Sequence, residues 1–71
     1  MEDRTTVIGR QIRERRRSLK LTQEDLANLA GCSPRFLREV EGGKPGVRLD
    51  KLLDVVEALG LELQITPRRA R

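Results

Sequence analysis

The stretch TQEDLANLAGCSPRFLREVEGGK, residues 22–44, holds two helix starts and two helix stops within 23 residues. Thr22 and Asp25 have capping-box spacing: the Thr hydroxyl can take an orphan amide of the first turn while the Asp reaches back. Leu26, Ala27, Leu29 and Ala30 follow at helical spacing, and Gly31 can take the left-handed conformation that ends a helix. Ser33-Pro34 then starts a second helix with a side-chain cap and a proline at the first helical position, where its missing amide costs nothing. Leu37 and Val40 give that helix a buried stripe, and Gly42-Gly43 stops it. The spacing thus predicts two short helices, over 22–30 and 33–41, joined by a tight turn.

Outward from this pair the periodicity stays helical on both sides. From Thr5 to Leu19, the apolar residues Ile8, Ile12 and Leu19 sit among Arg10, Arg13, Arg15, Arg16 and Arg17, which predicts a basic amphipathic first helix. After a loop containing Lys44, Pro45, Gly46 and Arg48, the series Leu49, Leu52, Leu53, Val56 and Leu59 predicts a fourth helix, closed by Gly60. The period then drops to two: Leu61, Leu63 and Ile65 alternate with Glu62, Gln64 and Thr66 as far as Pro67. No other segment has that period, so a strand here would pair most simply with the same strand of a second copy. The competing expectation is an apolar tail packed irregularly on the fourth helix. The resulting division is a helical domain over 1–60, a dimerisation strand over 61–66 formed by Leu61, Leu63 and Ile65, and a disordered basic tail over 67–71.

Composition narrows the function. At 71 residues the chain allows one small domain, and with 1% aromatic residues its core must be aliphatic. A core of that size gains from a second copy, which again points to a homodimer. One cysteine and no histidine leave no internal disulfide and no zinc or haem site, so no cofactor is expected. A charged start (Glu2, Asp3, Arg4) and the lack of a long apolar run indicate neither secretion nor a membrane span, and the expected compartment is the cytoplasm. The net charge of +4 is uneven: residues 1–48 carry 11 basic and 7 acidic side chains, 49–66 carry 1 and 4, and the tail carries 3 and none. Such a distribution suits a polyanion on one face and something else behind it. Without histidine, a nucleophile–base pair or a glycine-rich phosphate loop, no enzyme site can be assembled.

Two short helices joined by a glycine turn between flanking helices form the helix-turn-helix arrangement, whose second helix enters the DNA major groove. The stretch from Leu21 to Lys44 resembles the Cro/CI-type (xenobiotic-response-element) helix-turn-helix regulators, and the resemblance spans about residues 8–60. It implies an all-α, lambda-repressor-like domain of four to five helices that binds double-stranded DNA. It further implies that Gln23 touches a phosphate and braces the reading helix, that Cys32 is a buried small apolar residue, and that Arg16 pairs with Glu41.

On the reading helix, inward Leu37 and Val40 send Pro34, Arg35, Phe36 and Arg38 outward, with Ser33 at the cap. Arg35 is expected to read bases and Arg38 either bases or phosphates, since arginine forks to guanine O6 and N7. Two readings stand for Phe36, where the family usually has a small polar residue: packing on thymine methyls, or leaning back over the first helix or a partner protein. Lys44 and Arg48 are the expected phosphate clamp.

The segment GKPGVRLDKLLDVVEALGLELQIT, residues 43–66, is similar to the HipB antitoxin branch, small repressors often encoded beside a HipA-type kinase toxin. In that branch a strand after the last helix pairs across the dimer. The implied function is a dimeric repressor on an inverted-repeat operator, with a HipA-like toxin as partner. The rival is an interaction module that chiefly neutralises a toxin through the acidic fourth helix (Asp50, Asp54, Glu57), with DNA binding secondary.

Overall fold

The computed structural model describes residues 3–68. Four α-helices follow one another along the chain: α1 (Arg4–Ser18), α2 (Gln23–Ala30), α3 (Pro34–Glu41) and α4 (Leu49–Ala58). The local signals behave as their chemistry requires. Arg15, Arg16 and Arg17 occupy the last turn of α1, where cations oppose the partial negative charge of a helix C-terminus. Lys20, in the link that follows, takes a positive φ of 59°. Thr22 and Asp25 complete a reciprocal capping box at the start of α2, each bond 3.0 Å long. Gly31 ends α2 in the left-handed region, at φ 73°, and the Cys32 amide turns back to the Ala27 carbonyl. The Ser33 hydroxyl accepts from the Phe36 amide at the head of α3, with Pro34 in its first turn.

Ile12, Leu26, Ala27, Leu37, Val40, Leu52, Val55, Val56 and Leu59 form one aliphatic core drawn from all four helices. Gly9 lets α1 and α3 approach closely: a side chain there would run into the Val40 and Glu41 carbonyls. At the other end of α1, the Arg15 Nε donates to the Leu59 carbonyl at 3.0 Å and ties α1 to the end of α4.

Three apolar expectations change. Leu49 and Leu53 are 60% and 42% exposed, while Val55, absent from the expected stripe, is fully buried. The buried set Leu52, Val55, Val56 and Leu59 still has helical spacing, but it lies on the α4 face that packs chiefly against α2. Leu49 and Leu53 lie off that face and stay largely open to solvent. Leu29 and Leu19 are also exposed, Leu19 because it falls just past the end of α1. The helix number is four, the lower end of the expected range, among the described residues.

No strand occurs among the described residues. Residues 61–68 are exposed and irregular in the single chain, with Leu61, Leu63 and Ile65 at 38%, 45% and 94% exposure. The segment is irregular, as the competing expectation had it, but only Leu61 and Leu63 are substantially covered, while Ile65 is open. A lone strand has nothing to bond with, so its absence from one copy follows from the same hydrogen-bond accounting that suggested a partner. Residues 69–71 of the expected basic tail lie outside the described residues.

Candidate nucleic-acid interface

The placement of α3 determines what a ligand can meet. With 3.6 residues per turn, fully buried Leu37 and nearly buried Val40 fix its inner face. Arg35 and Glu39 then fall diametrically opposite, and Arg38 and Phe36 flank them on either side. The Arg35 side chain is 82% exposed, so its guanidinium can reach outward from a helix whose backbone is held at both ends. Phe36 divides between core and surface: its ring is half-buried and packs against the core. That favours the reading in which it leans back, and leaves only part of its edge to face a ligand.

Glu39 was not among the residues the sequence pointed to, yet it organises this face. Its carboxylate lies 3.7 Å from the Arg35 guanidinium and 3.3 Å from the Lys44 ammonium. One carboxylate thus gathers a reading-helix cation and a loop cation into a single cluster. The signal that could have found it is the Arg35-to-Glu39 spacing of four, which puts both on one helix face.

The remaining site residues divide into those brought to this face and those engaged elsewhere. Gln23, at the first position of α2, donates its amide to Glu41 at 3.1 Å, which is the bracing role expected of it. Ser33 is spent on its cap, and Pro34 is half-buried. Arg48 stands just before α4 and grips Asp50 through two bonds of 2.6 and 3.1 Å, so its charge is partly answered within the chain. That pairing holds the Asp50 carboxyl below the usual carboxylate range.

Beneath the reading helix lies the pair expected from the resemblance. Arg16 donates through Nε and a terminal nitrogen to the two oxygens of Glu41 at 2.7 and 2.9 Å, and through its other terminal nitrogen to the Leu21 carbonyl at 2.9 Å. Both side chains are at least nine-tenths buried. Burial alone would push the Glu41 carboxyl up, but bonds from Arg16 and Gln23 and the fields of Arg16 and Arg13 outweigh it and hold the group below its ordinary range. Cys32 is only half-buried, less than the resemblance implies, and packs beside the core, where burial raises its thiol pKa.

A rigidly seated short helix, capped at its head and carrying outward arginine, is the geometry of a groove-reading element. Residues 7–68 match the helix-turn-helix domain family. The chain belongs to that family. It is 38% identical over 58 residues to an uncharacterized HTH-type transcriptional regulator, y4mF, of Sinorhizobium fredii (strain NBRC 101917 / NGR234), a match covering 82% of this chain and 76% of the relative. A second regulator of that organism, y4dL, is 30% identical over 69 residues, and there the match covers 97% of this chain but 35% of the relative.

Among solved structures, the restriction-modification controller protein C.AhdI from Aeromonas hydrophila superposes with a TM-score of 0.75 at 34% identity, over 82% of this chain and 88% of that one. A chain of the HipA-HipB-O2-O3 complex superposes with a TM-score of 0.85 over 97% of both chains, at 16% identity, a likeness of fold alone. The protein is therefore a helix-turn-helix regulator with the HipB-like fold. Among the described residues, no helix is long and apolar enough to cross a membrane.

Proposed function

We propose that this helix-turn-helix regulator is a sequence-specific repressor that binds an inverted-repeat operator as a homodimer in the cytoplasm. The single observation carrying the reading is the outward face of α3, where Arg35, 82% exposed, stands on a helix locked to the core by Leu37 and Val40. An arginine in that place can fork to guanine O6 and N7, and one such bidentate contact discriminates by about 1–3 kcal/mol. Two copies related by a two-fold axis would present their α3 helices about one DNA turn, roughly 34 Å, apart. Repression follows from occupying a promoter at such a site.

The homodimer is supported by the apolar surface that one copy leaves open: Leu49 and Leu53 on α4, and Leu61, Leu63 and Ile65 beyond it. Beyond the Leu61 amide, which donates to the Val56 carbonyl, pairing of residues 61–66 with the same segment of a second copy would give the backbone partners and would cover those side chains.

The finer reading, an antitoxin and autoregulator beside a HipA-type kinase toxin, is supported by the resemblance of residues 43–66 to the HipB branch and by the shared fold. The higher identity to a restriction-modification controller protein supports instead a regulator of the controller kind. An interaction module that chiefly neutralises a toxin finds its support in exposed Asp50, Asp54 and Glu57 on α4, opposite in sign to the arginine-rich helices.

Selection of bound sequences from random duplex DNA by the purified chain, followed by titration of the enriched site at two salt concentrations, tests the proposal. The expected result is an inverted repeat with half-sites about one turn apart. Failure to enrich any sequence, with only weak salt-sensitive binding, would move the reading to the interaction module. Capture of a kinase by the tagged chain in its own host would separate the antitoxin from the controller-type regulator.

A further inference from the structure

An open cleft of about 620 Å³ lies between the end of α1, the start of α2 and the flank of α3, away from the outermost face of the reading helix. Arg16 and Glu41 are part of its lining and bond to each other, which leaves the guanidinium groups of Arg13, Arg17 and Arg38 around it with a surplus of positive charge. All three are exposed, and none has an ion pair with a described residue. Gln23 stands among them with its amide already committed to Glu41. Three like charges around a single carboxylate that is already bonded to Arg16 repel one another, so their convergence around a cleft marks a place for an external anion.

We infer that this cleft is a docking point for phosphodiester groups of the DNA backbone, with Arg13 and Arg17 of α1 as phosphate contacts. The inference rests on the DNA-binding reading and adds to it that α1, which is outside the helix-turn-helix pair, carries part of the affinity. The geometry follows from the groove. A helix with its side chains is about 10–12 Å across and the major groove is about 12 Å wide, so the two strands press on the flanks of an inserted helix. Arg38 belongs at once to a flank of α3 and to the cleft. The strand passing that flank therefore runs over the cleft mouth, and successive phosphates come within reach of Arg38, Arg17 and Arg13. Arg13 and Arg17 are one helical turn apart, so both point to the same side of α1. Phosphate contacts of this kind position the protein and carry no sequence information.

The test compares the wild-type chain with Arg13→Ala/Arg17→Ala and Arg13→Lys/Arg17→Lys, titrating the selected site and a mixed-sequence duplex over a range of salt. The expected result is a log–log salt slope shallower by about 0.9 for each arginine removed, an approximately eightfold loss per contact at 0.1 M salt relative to 1 M. The loss is the same on both duplexes, and the lysine pair restores the slope. Thermal unfolding of the alanine pair falls by only a few degrees, the loss of the helix-end attraction of Arg17 and of the field of Arg13 on Glu41, and the lysine pair, which keeps both charges, stays at the wild-type midpoint. An unchanged slope in the alanine pair, with the wild type binding normally, overturns the inference alone. A wild-type chain with no affinity for either duplex removes the DNA-binding reading and the cleft assignment with it.

Discussion

At the scale of single residues, two carboxylates on either side of α3 do opposite work. Glu41 is buried against Arg16 and Gln23 and holds the helix in place. Removing one member of such a pair leaves a buried charge uncompensated, at a cost of about 3–5 kcal/mol. A 71-residue domain at 0.05–0.15 kcal/mol per residue has only roughly 4–10 kcal/mol in total, so Glu41→Ala is expected to unfold much of the population in a denaturant titration. The sign of the acid response is also fixed. A carboxyl depressed in the folded chain contributes stability that is whole above its unfolded value, about 4.3 for Glu, and is lost as pH falls through its lower folded value. Denaturation midpoints measured from neutral pH downward should hold until that range and then drop, and Glu41→Gln should flatten the drop. Glu39 is partly exposed and lies within ion-pair distance of Arg35 and Lys44 in the free chain, at 3.7 and 3.3 Å. In the groove its negative charge repels phosphates and can accept from a cytosine amino group. Glu39→Gln is therefore expected to tighten binding to mixed-sequence DNA and to alter the preferred base at one position of each half-site, read by repeating the selection; an unchanged preference would confine Glu39 to tethering the two cations.

At the scale of elements, α3 is eight residues long, too short to persist alone, and its boundaries come from its caps and its seat on α1 and α2. Ser33→Ala removes the hydroxyl that accepts from the Phe36 amide and should cost about 1 kcal/mol. For a domain of this size that is a fall of roughly 4–8 °C in the melting midpoint, measurable by circular dichroism. The caps were legible in the sequence because capping is a local transaction between residues three apart, as at Thr22–Asp25 and Ser33–Phe36. The Arg16–Glu41 bond joins residues 25 apart and has no local chemical signal; it was legible only through the family pattern. Sequence period found α4 but not which of its leucines turn inward, because Leu49, Leu52 and Leu53 are equally apolar and only packing against α2 selects among them. Gly9, which lies within the helix expected from Thr5 to Leu19, is a point of close approach between α1 and α3. Glu39 carries no sequence signal of its own for a polyanion partner, because a carboxylate matters there only through the cations it gathers.

At the scale of the whole molecule, the core is aliphatic and lies within the helices, while much of the remaining apolar surface faces outward on α4 and the segment after it. Exposed, alternating Leu61, Leu63 and Ile65 are costly to leave in water, at roughly 25 cal/mol for each Å² of apolar area that a partner could cover. If a second copy supplies that cover, folding and association are one equilibrium, and the melting midpoint of the intact chain must rise with protein concentration. Deleting residues 61–71 should remove that dependence and shift the chain to monomer in sedimentation. The same deletion separates the tail's role from that of the reading helix. A monomer still carries Arg35 and the α1 arginines, so it should bind a single half-site weakly with about half the wild-type salt slope, each copy contributing its own displaced counterions. The full inverted repeat should lose its advantage over an isolated half-site, because that advantage depends on one copy holding the other close to its half. A dimer that survives the deletion would assign the interface to Leu49 and Leu53 on α4, and a Leu49→Lys/Leu53→Lys variant of the shortened chain should then be the monomer.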